Sequence, residues 1–442
     1  MPAQHPDPSV SDLLAFLDAS PSPYHAVAEA ARRLERGGFS RRDERDGWQL
    51  GPGAKGYVVR AGGSLIAFSL GAKPCWESGM LVLGAHTDSP NLRLKPVAEL
   101  SSVGYRQLAV EVYGGVLLST WLDRDLSICG RVMLKNGQSA LLRLGDAVCR
   151  IPNLAIHLNR EVNTAGLILN AQTHLLPVFA LEHGKDDPAL ADSLAAALGA
   201  SLPGVKGGDI ASADLCLFDI EPARLGGQNN EFLFSARLDN LVSCHAALSA
   251  LLGAGAGDST RIVVLYDHEE VGSQSTAGAR SSFLESVLGR LMAAFPAAPS
   301  DALGRTMARS FMVSLDMAHA VHPNYVDKHD RQHRPLIGQG PAIKVNVNQS
   351  YATDGPALAA FAEACRRSDV TPQHFVARND MPCGSTIGPI SAARLGLRTV
   401  DVGSAMLSMH SCRELAGSGD VPTMIRVLSN LLVQFTPPDP AS

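Results

Sequence analysis

The chain reads as an α/β protein: a doubly wound, mostly parallel sheet with an inserted β-rich second domain. Three observations predict it. Apolar runs at Met80 to Leu83, Ile262 to Tyr266, Phe311 to Leu315 and Leu397 to Val402 are continuous rather than alternating, as strands buried on both faces are. Helical patterns at Asn240 to Leu252, Pro356 to Arg367 and Ser385 to Leu395 lie between the later runs, which covers such a sheet on both sides. From residue 93 to about 235 that rhythm stops and β-type runs take over.

The first element is a helix. Ser22-Pro23 offers an N-cap and a first-turn proline, Gly37-Gly38 closes the pattern, and Val27, Ala30, Ala31 and Leu34 share one face. The strand at Met80 to Leu83 follows. The insert then brings "YRQLAVEVYGG", and in "GRVMLKNGQSALLRL" the Asn136-Gly137 pair between two strand-like runs predicts a type I′ hairpin. Its tail, "LEHGKDDPALADSLAAALGASLPGVKGGD", is polar and punctuated by Gly and Pro, as surface loop and helix are. One domain is therefore built from 1–92 and 236–442, and the other is the insert 93–235. No internal repeat or low-complexity segment breaks this plan.

Composition narrows the function. At 45% hydrophobic and 18% charged over 442 residues, the chain is an ordinary globular one with length for a large core. A net charge of −5 and the lack of a Lys/Arg run argue against a nucleic-acid partner. No apolar stretch approaches the ~20 residues that span a bilayer, so no membrane partner is expected. "MPAQHPDPSVSD" has neither a basic start nor an apolar core, so no signal peptide is expected. The eight cysteines are scattered without a C-x-x-C, which fits free thiols in a reducing cytoplasm.

The residues that follow each buried run carry the chemistry. "MLVLGAHTDSP" puts His86 and Asp88 past the first, "EFLFSARLDN" brings Asp239 to the head of a helix, and "RIVVLYDHEEVGS" delivers Glu269 and Glu270. "SFMVSLDMAH" adds Asp316, and "RTVDVGSAMLSMH" adds His410 after a short loop. Ligands of open α/β sheets bind at the carboxyl ends of the strands, so these groups converge on one crevice. Imidazole and carboxylate suit two zinc ions ~3.5–4 Å apart that share a bridging carboxylate. A symmetric allotment has Asp239 bridging, His86 and Asp316 completing one metal, and Glu270 and His410 the other. Asp88 would hold the His86 ring from behind. Adjacent buried carboxylates repel, so the glutamates divide the work. Glu270 is a ligand, and Glu269 is a general base that takes a proton from a water the metals activate. The reaction class is hydrolysis of an amide or ester.

Each group has a plainer reading. A lone histidine after a strand is more often structural, a Glu-Glu pair is more often solvated, and Asp239 could be only an N-cap. A rival metal site is Asp316, His319 and His322, spaced by three as on one helix face, with His329 and His333 nearby. Pro323 and the loop-like "HPNYVDKHDRQHRP" argue against that helix. His25, His174, His183, His245 and His268 have no partner pattern and read as structural or surface residues.

Five stretches in order, "GAHTDSPNLRLKP", "FLFSARLDNL", "DHEEVGS", "DMAHAVHPNY" and "RNDMPCGSTIGP", closely resemble the aspartyl aminopeptidases. These are co-catalytic dizinc exopeptidases with a phosphorylase/hydrolase-like α/β fold, and the resemblance runs from "SPSPYHAV" to "SMHSCRE". It implies two zinc ions per subunit, replaceable by manganese or cobalt, on His86, Asp239, Glu270, Asp316 and His410, with Glu269 as base and Asp88 behind. The implied activity is removal of N-terminal Asp or Glu from peptides. Lys344, in "GPAIKVNVNQSY", matches the family's reader of the substrate carboxylate; an exposed strand lysine is the plainer reading. The resemblance also implies a homo-oligomer, typically a tetrahedral dodecamer, with the insert as dimerisation domain. His157, in "IPNLAIHLNRE", matches a histidine that reaches into the neighbouring subunit's site and steadies the oxyanion. Two departures, His268 before the glutamates and Gln274 after "VGS", touch no ligand. Two other outcomes stand beside this one. A related hydrolase would prefer neutral residues or small amides, and Lys344 discriminates it. A metal-stabilised assembly with a vestigial site would have lost a ligand or Glu269, and neither is lost.

Overall fold

The computed structural model describes residues 7–184 and 187–435. The first six residues, Lys185-Asp186 of the insert's tail and residues 436–442 lie outside the described residues. The protein has a mixed α/β architecture with a separate β-rich part, as expected.

Nine strands form the main sheet, in the order Ser40–Arg42, Lys55–Arg60, Ser64–Ser69, Thr260–Tyr266, Met80–His86, Phe311–Leu315, Arg398–Gly403, Ala342–Lys344 and Gln373–Phe375. The four central strands, from Thr260–Tyr266 to Arg398–Gly403, are parallel to one another. Antiparallel neighbours flank them on both sides. Side chains of the central strands alternate between two cores. Leu81, Leu83, Val263 and Leu265 pack with the helices Pro8–Ala19, Pro23–Arg36, Leu238–Gly253, Gly355–Arg367 and Asp420–Gln434. Val82, Ile262 and Val264 pack with Phe283–Met292, Ala302–Arg309 and Ile387–Leu395. Burial on both faces is why these strands are unbroken apolar runs. Each such Leu, Ile or Val contributes about 1.5–3 kcal/mol.

Caps set the helix ends. Ser22 accepts from the His25 amide, and Pro23 opens the helix that follows. Asp354 accepts from the Ala357 amide at the head of Gly355–Arg367. Ile387–Leu395 begins two residues later than the pattern predicts because Thr386 is the cap.

The insert supplies a six-stranded sheet of Ser139–Arg143, Leu126–Leu134, Ile210–Asp219, Asn91–Ser102, Tyr105–Tyr113 and Val178–Leu181. Helix Leu190–Leu198 packs on its core. The expected hairpin forms, but its turn differs. Gly137 has φ 85° and Asn136 is not left-handed, and the Gly137 amide donates to Leu134 O. That is a type I turn closed by a left-handed glycine, a three-residue loop rather than the two-residue type I′. A third sheet joins Arg224–Gly226 and Phe232–Ser235 to Glu414–Gly417, Ala405–Leu407 and Ala318–His319. It ties the segment returning from the insert to the loops beyond the central strands.

Candidate metal centre

Every proposed ligand but His410 sits at or just past the carboxyl end of a central strand, or at a helix head facing it. His86 ends Met80–His86, and Asp316 follows Phe311–Leu315. Glu269 and Glu270 open a single 3-10 turn, Glu269–Val271, flanked by His268 and Gly272 at φ 64° and 89°. Histidine tolerates that left-handed backbone better than most residues do. Asp239 stands at the head of Leu238–Gly253, where residues 239 and 240 leave helical geometry and the peptide between them is cis. His410 lies in the loop between Ala405–Leu407 and Glu414–Gly417.

The side chains meet around Asp239. His86 Nε2 is 3.5 Å from Asp239 Oδ1 and 3.5 Å from Asp316 Oδ1. His410 Nε2 is 3.4 Å from Asp239 Oδ2 and 3.4 Å from Glu270 Oε2. The two oxygens of Asp239 therefore face two different triads, each with its ligand atoms within 4.8 Å of one another. Such separations are long for hydrogen bonds. They are what two ligands on one tetrahedral zinc require, since bonds of 2.0–2.1 Å put the donors roughly 3.4 Å apart. Glu269 joins a third grouping with His86 and Glu270, its Oε2 standing 4.0 Å from His86 Nε2.

Charge makes the same demand. Asp239 Oδ1 and Glu270 Oε1 are buried without a hydrogen-bond partner, a costly state for carboxylate oxygens. Two carboxylates within 4.8 Å repel by about 3.5 kcal/mol at an effective dielectric near 20. Burial above all, with the facing acids, pushes Glu270 well above the carboxylate range and Glu269 up to about 8. Burial works against a charge on His86, yet Glu269, Asp239, Asp316 and Asp88 outweigh it and raise its pKa well above the ordinary value. Asp316 is held low despite its burial because Lys344 and His86 face it. Two divalent cations would bring four positive charges to Asp239, Glu269, Glu270 and Asp316. The donor set, two imidazoles and several carboxylates, is one that zinc takes.

Buried hydrogen bonds hold the ligands in place. Glu414 accepts from the Asp239 amide at 3.1 Å and from the His410 amide at 2.8 Å, so one carboxylate ties the two loops together. Ser89 Oγ donates to Asp239 O at 2.6 Å, and Asn240 Nδ2 donates to Leu315 O at 2.8 Å. Asp88 does more than face His86. His86 Nδ1 lies 3.0 Å from Asp88 O and 3.4 Å from Asp88 Oδ1. The same carboxylate accepts from the amides of Glu269 and Glu270, at 3.1 Å each.

Known proteins share this sequence and fold. Residues 16–431 match the family described as aminopeptidase I zinc metalloprotease (M18). Over 420 residues the chain is 48% identical to the probable M18 family aminopeptidase 2 of Azotobacter vinelandii, covering 94% of this chain and 96% of the relative. This chain belongs to the M18 family. It is a metal-dependent aminopeptidase. A chain of the cryo-EM structure of the Ape4 and Nbr1 complex is similar to this M18 enzyme at TM-score 0.92 and 40% identity, over 96% of this chain and 85% of that one. A chain of the S. cerevisiae mApe1 dodecamer is similar at TM-score 0.82 and 32% identity, over 96% and 95%.

The remaining candidates of this M18 enzyme fall into three groups. Lys344 is 2% exposed, unlike a surface strand lysine, and sits 5.1 Å over the Tyr351 ring. Its Nζ donates to Asp316 Oδ2 at 2.9 Å and to Met317 O at 3.1 Å. His157 lies on an exposed turn of the insert, between the exposed Ile156 and Leu158. The rival single-zinc grouping does not assemble, because the chain after His319 is loop with one 3-10 turn at Val326–Lys328. His322 Nδ1 accepts from the Asn324 amide, His329 Nε2 accepts from the His322 amide, and His333 Nδ1 pairs with Asp330 at 2.7 Å. His245 is structural, its Nε2 2.8 Å from Asp12 Oδ2.

Sequence reading missed three contributors. Glu414 lies four residues past His410 and could have been weighed as a buried acid. Tyr113 and Gly115 come from the insert. Tyr113 Oη donates to Asp88 Oδ2 at 2.7 Å, and His410 Nδ1 lies 3.0 Å from Gly115 O. These contacts span 25 and 295 residues, beyond any local pattern.

Proposed function

We propose that this M18 enzyme is a two-metal aminopeptidase that removes N-terminal Asp or Glu from peptides. The observation that carries the reading is the pair of triads sharing Asp239. His86, Asp239 and Asp316 would hold one zinc, and Asp239, Glu270 and His410 the other; manganese or cobalt suits the same donors. Such ions, when bound, polarise the scissile carbonyl and lower the pKa of a water towards neutrality.

The chain's own residues do the rest. Glu269 takes the proton of the attacking water and returns it to the leaving amine. Its Oε2 stands 4.0 Å from His86 Nε2 and outside the two triads that share Asp239, so it is left to move a proton. Asp88 fixes the backbone under Glu269. Lys344 supplies the acid preference. An ammonium has three donors; Asp316 and Met317 O take two, which leaves one for a substrate carboxylate.

The working particle is a homo-oligomer, a tetrahedral dodecamer, with the insert 93–235 as dimerisation domain; the similar yeast chain comes from a dodecamer too. His157, on its exposed turn, reaches a neighbouring subunit's centre and steadies the oxyanion. The described residues contain no helix long and apolar enough to cross a membrane, and a cytoplasmic setting suits eight free thiols.

Metal analysis tests the two-ion allotment. Asp316→Ala and Glu270→Ala should each lower the content from two ions per chain to one, and Asp239→Ala should lower it towards none. One ion per wild-type chain, or the same loss in all three variants, contradicts the allotment.

A further inference from the structure

We propose that Tyr113 of the β-rich insert is a positioning residue for the general base, acting on Glu269 through Asp88. The inference rests on the reading of Glu269 given above. Tyr113 ends the strand Tyr105–Tyr113 and is buried. Its hydroxyl donates to Asp88 Oδ2 at 2.7 Å. Asp88, fully buried, accepts from the Glu269 amide on Oδ1 and from the Glu270 amide on Oδ2. Phenol, carboxylate and two peptide N–H groups thus form one continuous chain of hydrogen bonds.

The glutamates need that chain. Glu269–Val271 is one 3-10 turn, and a single turn has too few internal bonds to hold itself. An external acceptor must fix its orientation, and Asp88 is that acceptor. The two amides already oppose rotation of the carboxylate about its Cβ–Cγ bond. The third donor, on Oδ2, adds another buried bond that any rotation must break.

Tyr113 is itself held. The Arg93 guanidinium lies 3.7 Å over its ring, a cation–π contact. The ring of His268, directly before Glu269, is 6.3 Å from it. The residues after Tyr113 continue along the centre. A side chain at Gly114 would meet Glu270 Cβ at 3.1 Å, and the Leu117 amide donates to His410 O at 3.1 Å. The end of this insert strand is therefore an inner wall of the catalytic centre. Among the described residues the Tyr113 hydroxyl bonds Asp88 alone, so it positions and does not react.

Tyr113→Phe removes one oxygen and little else. We expect kcat to fall about tenfold or more, the scale of losing an outer partner of a metal site. KM, metal content and particle size should stay as in the wild type. Combined with Asp88→Asn, it should cost no more than Asp88→Asn alone, since both break the same chain. A kcat within twofold of the wild type overturns the proposal. So does a loss shared with metal content or particle size, which is a structural effect, or full additivity with Asp88→Asn. Glu269→Gln run in parallel separates the two readings. If Glu269→Gln keeps its turnover, the general base is misassigned. If it is inactive while Tyr113→Phe is unaffected, only the present proposal fails.

Discussion

Lys344 is the residue with two obligations. Its ammonium neutralises Asp316, which would otherwise carry its charge buried among acids, and in the proposed reaction it is also the cation offered to the substrate. A charge-assisted hydrogen bond is worth about 1.5–3 kcal/mol, roughly a factor of 10–150 in kcat/KM. Lys344→Met should therefore lower the ratio of kcat/KM for an N-terminal Asp reporter over an Ala reporter by at least tenfold. Loss of both activities in parallel, with the ratio unchanged, would assign Lys344 to Asp316 alone. Asp88 and Glu414 make the complementary point. Neither belongs to a metal triad, yet each carboxylate accepts two backbone amides of the centre, Glu269 and Glu270 on Asp88 and Asp239 and His410 on Glu414.

At the scale of elements, the four central strands and the helices between them were legible because burial on both faces leaves an unambiguous apolar run. The same strand ends made His86, Asp239, Glu270, Asp316 and His410 legible as a set. What stayed hidden depends on contacts between distant segments or on degenerate local codes. Asn-Gly serves a type I′ turn and a type I turn with a left-handed glycine equally well, so the hairpin was found and its turn was not. The strand Ser64–Ser69 and the helix Asp420–Gln434 were passed over, though the strand is buried throughout and the helix buries one face. Tyr113 could not be picked from a β-run of ordinary composition.

The helix Pro23–Arg36 carries a pH prediction. Burial above all pushes His25 down to about 4, and Ser22 Oγ lies 2.8 Å from its Nδ1. The folded chain resists the proton that the unfolded chain accepts near 6.5. This contribution is therefore intact above 6.5 and is lost as pH falls towards 4. The wild-type melting temperature should drop across that window, and less steeply in His25→Asn. Equal slopes would contradict it.

At the scale of the whole molecule, the insert does two things: its inner edge contacts the centre, and its outer surface exposes apolar residues. Val97, Val103, Leu158 and Ile168 are 76–91% exposed in a single chain. If His157 acts in a neighbour's site, two dead variants should rescue each other. Particles co-assembled from His157→Ala and Glu269→Gln chains should regain a fraction of wild-type turnover. Mixed particles as inactive as their parents would place His157 outside the reaction.

As proposed, this M18 enzyme needs its metals and reads the side-chain carboxylate of the substrate's N-terminal residue. The most direct measurement is turnover of aminoacyl reporters bearing Asp, Glu, Ala, Leu or Lys, with and without a chelator and then with zinc, manganese or cobalt restored. We predict turnover of Asp and Glu alone, lost on chelation and regained with metal. Turnover of Leu or Ala in preference, or turnover of Asp that survives complete metal removal, would contradict it.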